Sequence, residues 1–118
     1  MGVDTVSKGP SDETRTICGE RDNARCVRCG KSLYNTMASL HHRRMRSHPF
    51  TGLHEPSNLI WLCGSGDQGC HGYVHAHPKE SYERGWLVSM VKNPAEVPVS
   101  TFLYGRVLLD DAGGFTRV

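Results

Sequence analysis

Cys26-Val27-Arg28-Cys29-Gly30 is followed further along by Leu59-Ile60-Trp61-Leu62-Cys63 and then by Cys70-His71. How these stretches are read decides the fold. A CxxC with glycine just after it brings two thiols to one side of a tight turn, where a metal can approach backbone amides. Cys63 and Cys70 form a second pair, and the intervening Gly64-Ser65-Gly66-Asp67-Gln68-Gly69 is flexible enough to fold back and close a ring. Four thiolates in two pairs suit tetrahedral zinc, with bonds of about 2.3 Å. The alternatives are a redox CxxC or unrelated buried thiols. A thioredoxin-like motif needs a strand before it and a helix after it, whereas Asp22-Asn23-Ala24-Arg25 and Lys31-Ser32 read as turns. Cys18, the fifth cysteine, reads as a bystander. An odd count, together with a start (Met1 to Val6) that lacks a basic head and an apolar stretch, argues against a disulfide framework.

A staple of this kind is what the composition calls for. The chain has 118 residues, of which 37% are hydrophobic, with 13 Gly and 6 Pro. One small domain with so little apolar material makes a marginal core, so a metal, a disulfide or a partner is expected to help. No run of eighteen apolar residues is present, so no membrane span is expected. A TIM barrel or a two-lobed nucleotide-binding enzyme needs more chain. The net charge of +2 conceals a gradient: residues 15–46 carry +6, while residues 1–14 and 47–78 each carry −2. A basic stripe beside a candidate metal site is the footprint of a phosphate-backbone ligand; its bland counterpart is a solvated charged face.

The coarse pattern is α+β. Residues 1–13 read as a flexible polar arm, and Thr14 to Asn23 as a short helix leading into the knuckle. Alternation over Leu33 to His42 is strand-like, and Arg43 to Pro56 reads as a long exposed loop. Leu59 to Cys63 is a short buried strand, Gly69 to His75 a helix, and Pro78 to Arg84 a second helix ended by Gly85. Trp86 to Val91 reads as a further strand that serves as scaffold or a small interface. Thr101 to Leu109 and Phe115 to Val118, joined through Asp110-Asp111-Ala112-Gly113-Gly114, read as a terminal hairpin within an extension over 93–118. Leu59, Trp61 and Leu62 are the expected core.

Seven histidines are spread unevenly. His41-His42 closes the first expected strand, and Asn58 stands just before the next. His71 abuts Cys70, and His75 follows four residues later, on the same helix face. Neighbours on a strand face opposite ways, so a strand end can aim one imidazole at a metal and the next at a water. Metal-assisted phosphodiester hydrolysis needs that division: a base that works near neutrality, for which His is suited, and a cation that neutralises charge building at phosphorus. Arg43, Arg44 and Arg46 follow at once and are candidates to grip phosphates, against a solvated loop as the bland alternative. His48, His54 and His77 read as surface or structural.

The series Cys26xxCys29, Leu40-His41-His42-Arg43, Ser57-Asn58-Leu59, Leu62-Cys63 and Cys70-His71 resembles the HNH endonuclease family over about residues 22–77. GCHGYVHAHP with the later ERGWLVS is similar to small HNH proteins of phages and prophages. The resemblance implies a small zinc-stapled domain over 14–92 with a ββα-metal core. It implies His42 as the general base, His41, His71 and His75 as ligands of a catalytic divalent ion, and Asn58 as the residue that pins the loop and orients the base. It also implies Cys26, Cys29, Cys63 and Cys70 as ligands of a structural zinc. Many relatives carry Asp where His41 stands, and a neutral imidazole there favours Zn²⁺ or Ni²⁺ over Mg²⁺, with Mn²⁺ also to be weighed. Many relatives also have CxxC as the second pair. The implied partner is DNA, cut to 5′-phosphate and 3′-hydroxyl ends, and in phage relatives a packaging terminase. The implied setting is the cytoplasm of a host cell, with the protein a monomer or weak dimer. Two further classes compete: a zinc-knuckle module that holds nucleic acid without cutting it, and an inert structural zinc protein. Deaminase (HxE with PCxxC) and zincin (HExxH) strings are absent.

Overall fold

Ser11 caps α1 (Asp12–Arg21): its hydroxyl accepts from the Thr14 amide at 3.1 Å, with Asp12 and Glu13 in the first turn. The computed structural model describes residues 9–47 and 49–118. Most of the expected arm (residues 1–8) and His48 lie outside the described residues. The helix starts two residues ahead of the expected Thr14, so the arm does not extend to residue 13. Polar contacts fasten α1 more than apolar ones do. The buried Arg21 guanidinium donates to the carbonyls of Pro56 (2.8 Å) and Leu59 (2.5 Å) and pairs with Asp22 at 2.8 Å. Asp22 in turn accepts from the Trp61 amide at 3.0 Å.

After the knuckle, β1 (Ala38–His42) pairs antiparallel with β2 (Leu59–Cys63), in a register that sets His41 opposite Ile60 and His42 opposite Leu59. A 3-10 turn, Pro56–Asn58, leads into β2. The helix α2 (Gly69–Ala76) packs on both strands, and α3 (Pro78–Glu83) follows with proline in its first turn. Two strands and a helix are thus arranged around one corner. Leu59 and Leu62 are fully buried, as expected of β2, but Trp61 is only half-buried and stacks beneath the Arg15 guanidinium at 5.1 Å. Trp61 is therefore not part of the core.

Two expectations need correction in the second half of the chain. Trp86 to Val91 is not a strand. Trp86, Leu87 and Val88 are buried, but the Leu87 amide bonds Ser81 O and the Val88 amide bonds Arg43 O, so the segment has no ladder partner. A short apolar run signals burial and cannot by itself tell strand from irregular core. The terminal hairpin is a three-stranded meander of β3 (Val99–Thr101), β4 (Gly105–Leu109) and β5 (Phe115–Arg117). Thr101 breaks the expected long strand: its hydroxyl accepts from the Tyr104 amide and donates to Gly105 O, which folds a turn after β3. Val99, Val107 and Leu109 pack in the same core as Cys26, Val27, Ile60, Leu62, Val74, Trp86 and Leu87.

Arg43 is the other correction. It is 0% exposed and does not face a phosphate. Its guanidinium donates to the carbonyls of Gly85 (2.7 Å), Ser57 (2.7 Å), Pro94 (3.1 Å) and Val97 (2.7 Å). Burial, helped by the nearby Arg21, pushes its pKa down to about 9, which still leaves it charged at neutral pH. One side chain thus ties the end of β1 to segments that no strand pairing joins. Arg43→Met keeps the stem and strands these carbonyls without a donor. It is expected to lower unfolding stability by at least about 3 kcal/mol, read by chemical denaturation of the zinc-loaded protein.

Candidate functional site

The knuckle is shaped by its own backbone. The Cys26 amide bonds Lys31 O and the Gly30 amide bonds Cys26 O, both at 2.8 Å. Gly30 has φ +78°, and a Cβ there would collide with the Phe102 ring, so glycine is required on both counts. Gly64 (φ +87°) turns the chain sharply after β2, where a Cβ would strike the Gln68 carbonyl. The turn lets Cys63, at the end of β2, meet Cys70, in the first turn of α2.

The four cysteines converge. Cys26, Cys29, Cys63 and Cys70 place their Sγ atoms within 4.8 Å of one another. Cys29 and Cys63 are 3.9 Å apart, against the roughly 3.8 Å edge of a tetrahedron with 2.3 Å zinc–sulfur bonds. Donor type, number and spacing all fit zinc. Two groups favour negative charge at this cage. The Cys70 amide donates to Cys63 Sγ at 3.4 Å, and the Arg28 guanidinium donates to Cys70 Sγ at 3.3 Å. Burial is the largest influence on the Cys63 thiol and pushes it up, but hydrogen bonds from Cys70 and its neighbours outweigh it, so the thiol lies below its ordinary range. Burial holds Cys26 above that range. Arg28 is clamped over the Tyr73 ring at 3.5 Å from its centroid, with Trp86 on its flank at 5.3 Å. Cys18 lies outside the cage, fully buried, its thiol pushed up to about 11 by burial.

Beside the cage lies a second cluster. β1 supplies His41 and α2 supplies His71 and His75, with one ring nitrogen of each within 4.8 Å of the others. The rings stand edge to face, with centroids 4.8 to 5.5 Å apart. Backbone carbonyls hold two of them. His41 Nε2 donates to Trp86 O at 2.8 Å, leaving Nδ1 as a ligand atom, and His71 Nδ1 donates to Gly66 O at 2.9 Å, leaving Nε2. Carbonyl partners of this kind fix the tautomer of metal-binding histidines. Burial, aided by the neighbouring imidazoles, pushes His41 down to about 3 and places His75 below its ordinary value. Both rings are therefore neutral, with a lone pair to offer, at neutral pH. The trio can hold a cation, and it faces an open cavity of about 470 Å³ lined also by His42, Met45, Arg46 and Arg15.

His42 lies at the rim of that cavity, and burial pushes it down to about 4, with His54 and Arg46 adding to the shift. Its Nε2 is 2.9 Å from His54 Nδ1. Asn58 is fully buried, and its side-chain hydrogen bonds go to backbone rather than to the His42 ring. Its Oδ1 accepts from the Arg44 amide at 2.7 Å, and its Nδ2 donates to Arg44 O (3.2 Å) and Leu53 O (2.9 Å). It therefore pins the backbone beyond His42 and just before His54. The loop arginines divide. Arg43 is internal. Arg44 donates to Lys92 O at 3.3 Å and stacks on Phe50 at 3.6 Å. Arg46 alone of the three lines the cavity. Sequence reading missed Arg15, Arg28 and His54. A basic residue inside the CxxC was a legible sign for Arg28, but nothing local announces the other two. Comparison with family models, with curated proteins and with solved structures finds no match to this chain. No helix among the described residues is long and apolar enough to cross a membrane.

Zinc is expected to bind tightly with the four cysteines intact and to be lost in Cys26→Ser. Arg28→Gln, which removes the charged donor to Cys70, is expected to weaken zinc retention roughly 10- to 100-fold. Competition against a chromogenic chelator measures both.

Proposed function

We propose that this chain is a metal-dependent HNH-type endonuclease that hydrolyses DNA phosphodiester bonds, with β1, β2 and α2 as its ββα-metal core. One observation carries the reading: a histidine trio, two of its rings fixed by backbone carbonyls, opens onto the same cavity as a histidine from the adjacent strand position. A module that only binds nucleic acid has no use for that pairing.

His41, His71 and His75 would hold the divalent ion, which when bound supplies positive charge to the phosphate and the departing oxygen. A set of neutral imidazoles favours Zn²⁺ or Ni²⁺ over Mg²⁺. His42 takes a proton from a water, and the resulting hydroxide attacks phosphorus. The P–O3′ bond breaks, the departing O3′ takes a proton from solvent in the open cavity, and the ends are a 5′-phosphate and a 3′-hydroxyl. Arg46 on the loop and Arg15 on α1 flank the cavity and supply backbone contacts that are blind to sequence. Phosphate-backbone contacts carry no sequence information, so weak sequence preference follows.

The test is supercoiled plasmid incubated with Mg²⁺, Mn²⁺, Ni²⁺ or Zn²⁺. Wild type is expected to nick or linearise it with at least one ion, and His42→Ala to slow cleavage at least about 100-fold while DNA binding holds. An intact plasmid with every ion would make the non-catalytic zinc-knuckle module the better account. A His42→Ala variant as fast as wild type would remove that ring from the chemistry.

A further inference from the structure

We propose that His54 is a positioning residue that holds His42 as the Nε2–H tautomer and so keeps its Nδ1 lone pair turned to the cavity. The inference rests on the endonuclease reading for its purpose, though not for its geometry.

His54 sits in the turn over 51–54 of the loop between β1 and the 3-10 segment, outside the strands and outside the two metal-capable clusters found among the described residues. Its Nδ1 meets His42 Nε2 at 2.9 Å, with ring centroids 5.0 Å apart and planes at 68°. One proton lies between the two nitrogens, and its owner decides what His42 can do. If His54 donates, His42 carries its only proton on Nδ1, and neither nitrogen of the ring is free to accept from a water. If His42 donates, Nε2 is protonated, Nδ1 is bare, and the ring can take a proton from water. In that arrangement His54 accepts at Nδ1 and carries its own proton on Nε2. When His42 gains its second proton, the same contact remains a hydrogen bond from a cation, which is stronger than before. The logic matches that of the carboxylate behind the histidine in a catalytic triad, with a neutral acceptor in its place.

The turn itself is held for this purpose. Asn58 Nδ2 bonds Leu53 O, immediately before His54, and Asn58 also brackets Arg44 through both its amide and its carbonyl. The buried amide thus fixes the backbone two residues after His42 and immediately before His54. Asn58 acts on the base through the loop, and His54 makes the contact.

Two readouts test the role. In ¹⁵N-histidine-labelled, Zn²⁺-loaded protein, long-range ¹H–¹⁵N correlations are expected to show His42 as the Nε2–H tautomer in wild type and in His54→Asn, whose Oδ1 branches where Nδ1 does. His54→Leu is expected to give a mixture of tautomers. On plasmid, His54→Leu is expected to lower kcat 10- to 100-fold with DNA binding unchanged, and His54→Asn to recover to within a few fold of wild type. Finding His42 protonated at Nδ1 in wild type overturns the proposal, as does a His54→Leu variant with unaltered tautomer and cleavage. If wild type cuts nothing with any ion, the endonuclease reading falls alone, because the tautomer measurement still decides whether His54 positions His42.

Discussion

Closure of the chain between Cys26–Cys29 and Cys63–Cys70 is the constraint on which the rest of the molecule depends. The apolar supply is thin, and the buried core of the described residues is a small cluster to which Cys26, Cys63 and Cys70 themselves belong. Joining the knuckle to the end of β2 and the start of α2 fixes the angle at which α2 leaves the sheet. Cys70 and His71 are adjacent, so the same closure that stabilises the fold delivers His71 and, one helical turn on, His75 to the face of β1 where His41 lies. A metal held in such a cage would couple ligand binding to folding, and here it would also couple the fold to the geometry of a second site.

Arginines carry out the other half of the assembly. The positive excess over residues 15–46 looks like a surface stripe in one dimension, yet much of it is spent inside. Arg21 anchors α1 to β2 through backbone carbonyls and Asp22. Arg43 collects four carbonyls from three separate segments. Arg28 stands behind the thiolate cage. A planar guanidinium with several directed donors suits this work better than an ammonium, because irregular segments with unpaired carbonyls are what a glycine- and proline-rich chain leaves to satisfy. The cavity is left with Arg15 and Arg46, a smaller electropositive surface than the charge gradient implied.

Local pattern made the first half of the architecture readable. The CxxC with its glycine, the apolar run of β2, the glycine-rich return to Cys70 and the i, i+4 histidines each depend on neighbours in sequence, and each lies where its pattern put it. What could not be read depends on contacts between distant residues. Trp86 to Val88 has the look of a strand, but its amides go to Ser81 and Arg43. Arg43 looks like its neighbours Arg44 and Arg46, and only the convergence of Gly85, Ser57, Pro94 and Val97 makes it internal. His54 is one histidine among several in a polar loop until the turn held by Asn58 brings it to His42. The long strand expected from Thr101 fails for a local reason that was legible: a threonine ahead of a glycine, with its hydroxyl free to close a turn.

The most direct measurement is a crystal structure of the protein grown with Zn²⁺, with anomalous maps collected on either side of the zinc edge. The account predicts one anomalous peak among the sulfurs of Cys26, Cys29, Cys63 and Cys70 and a second, separate peak among the rings of His41, His71 and His75. A single peak in the thiol cage, with the three imidazoles turned away from one another, would contradict it.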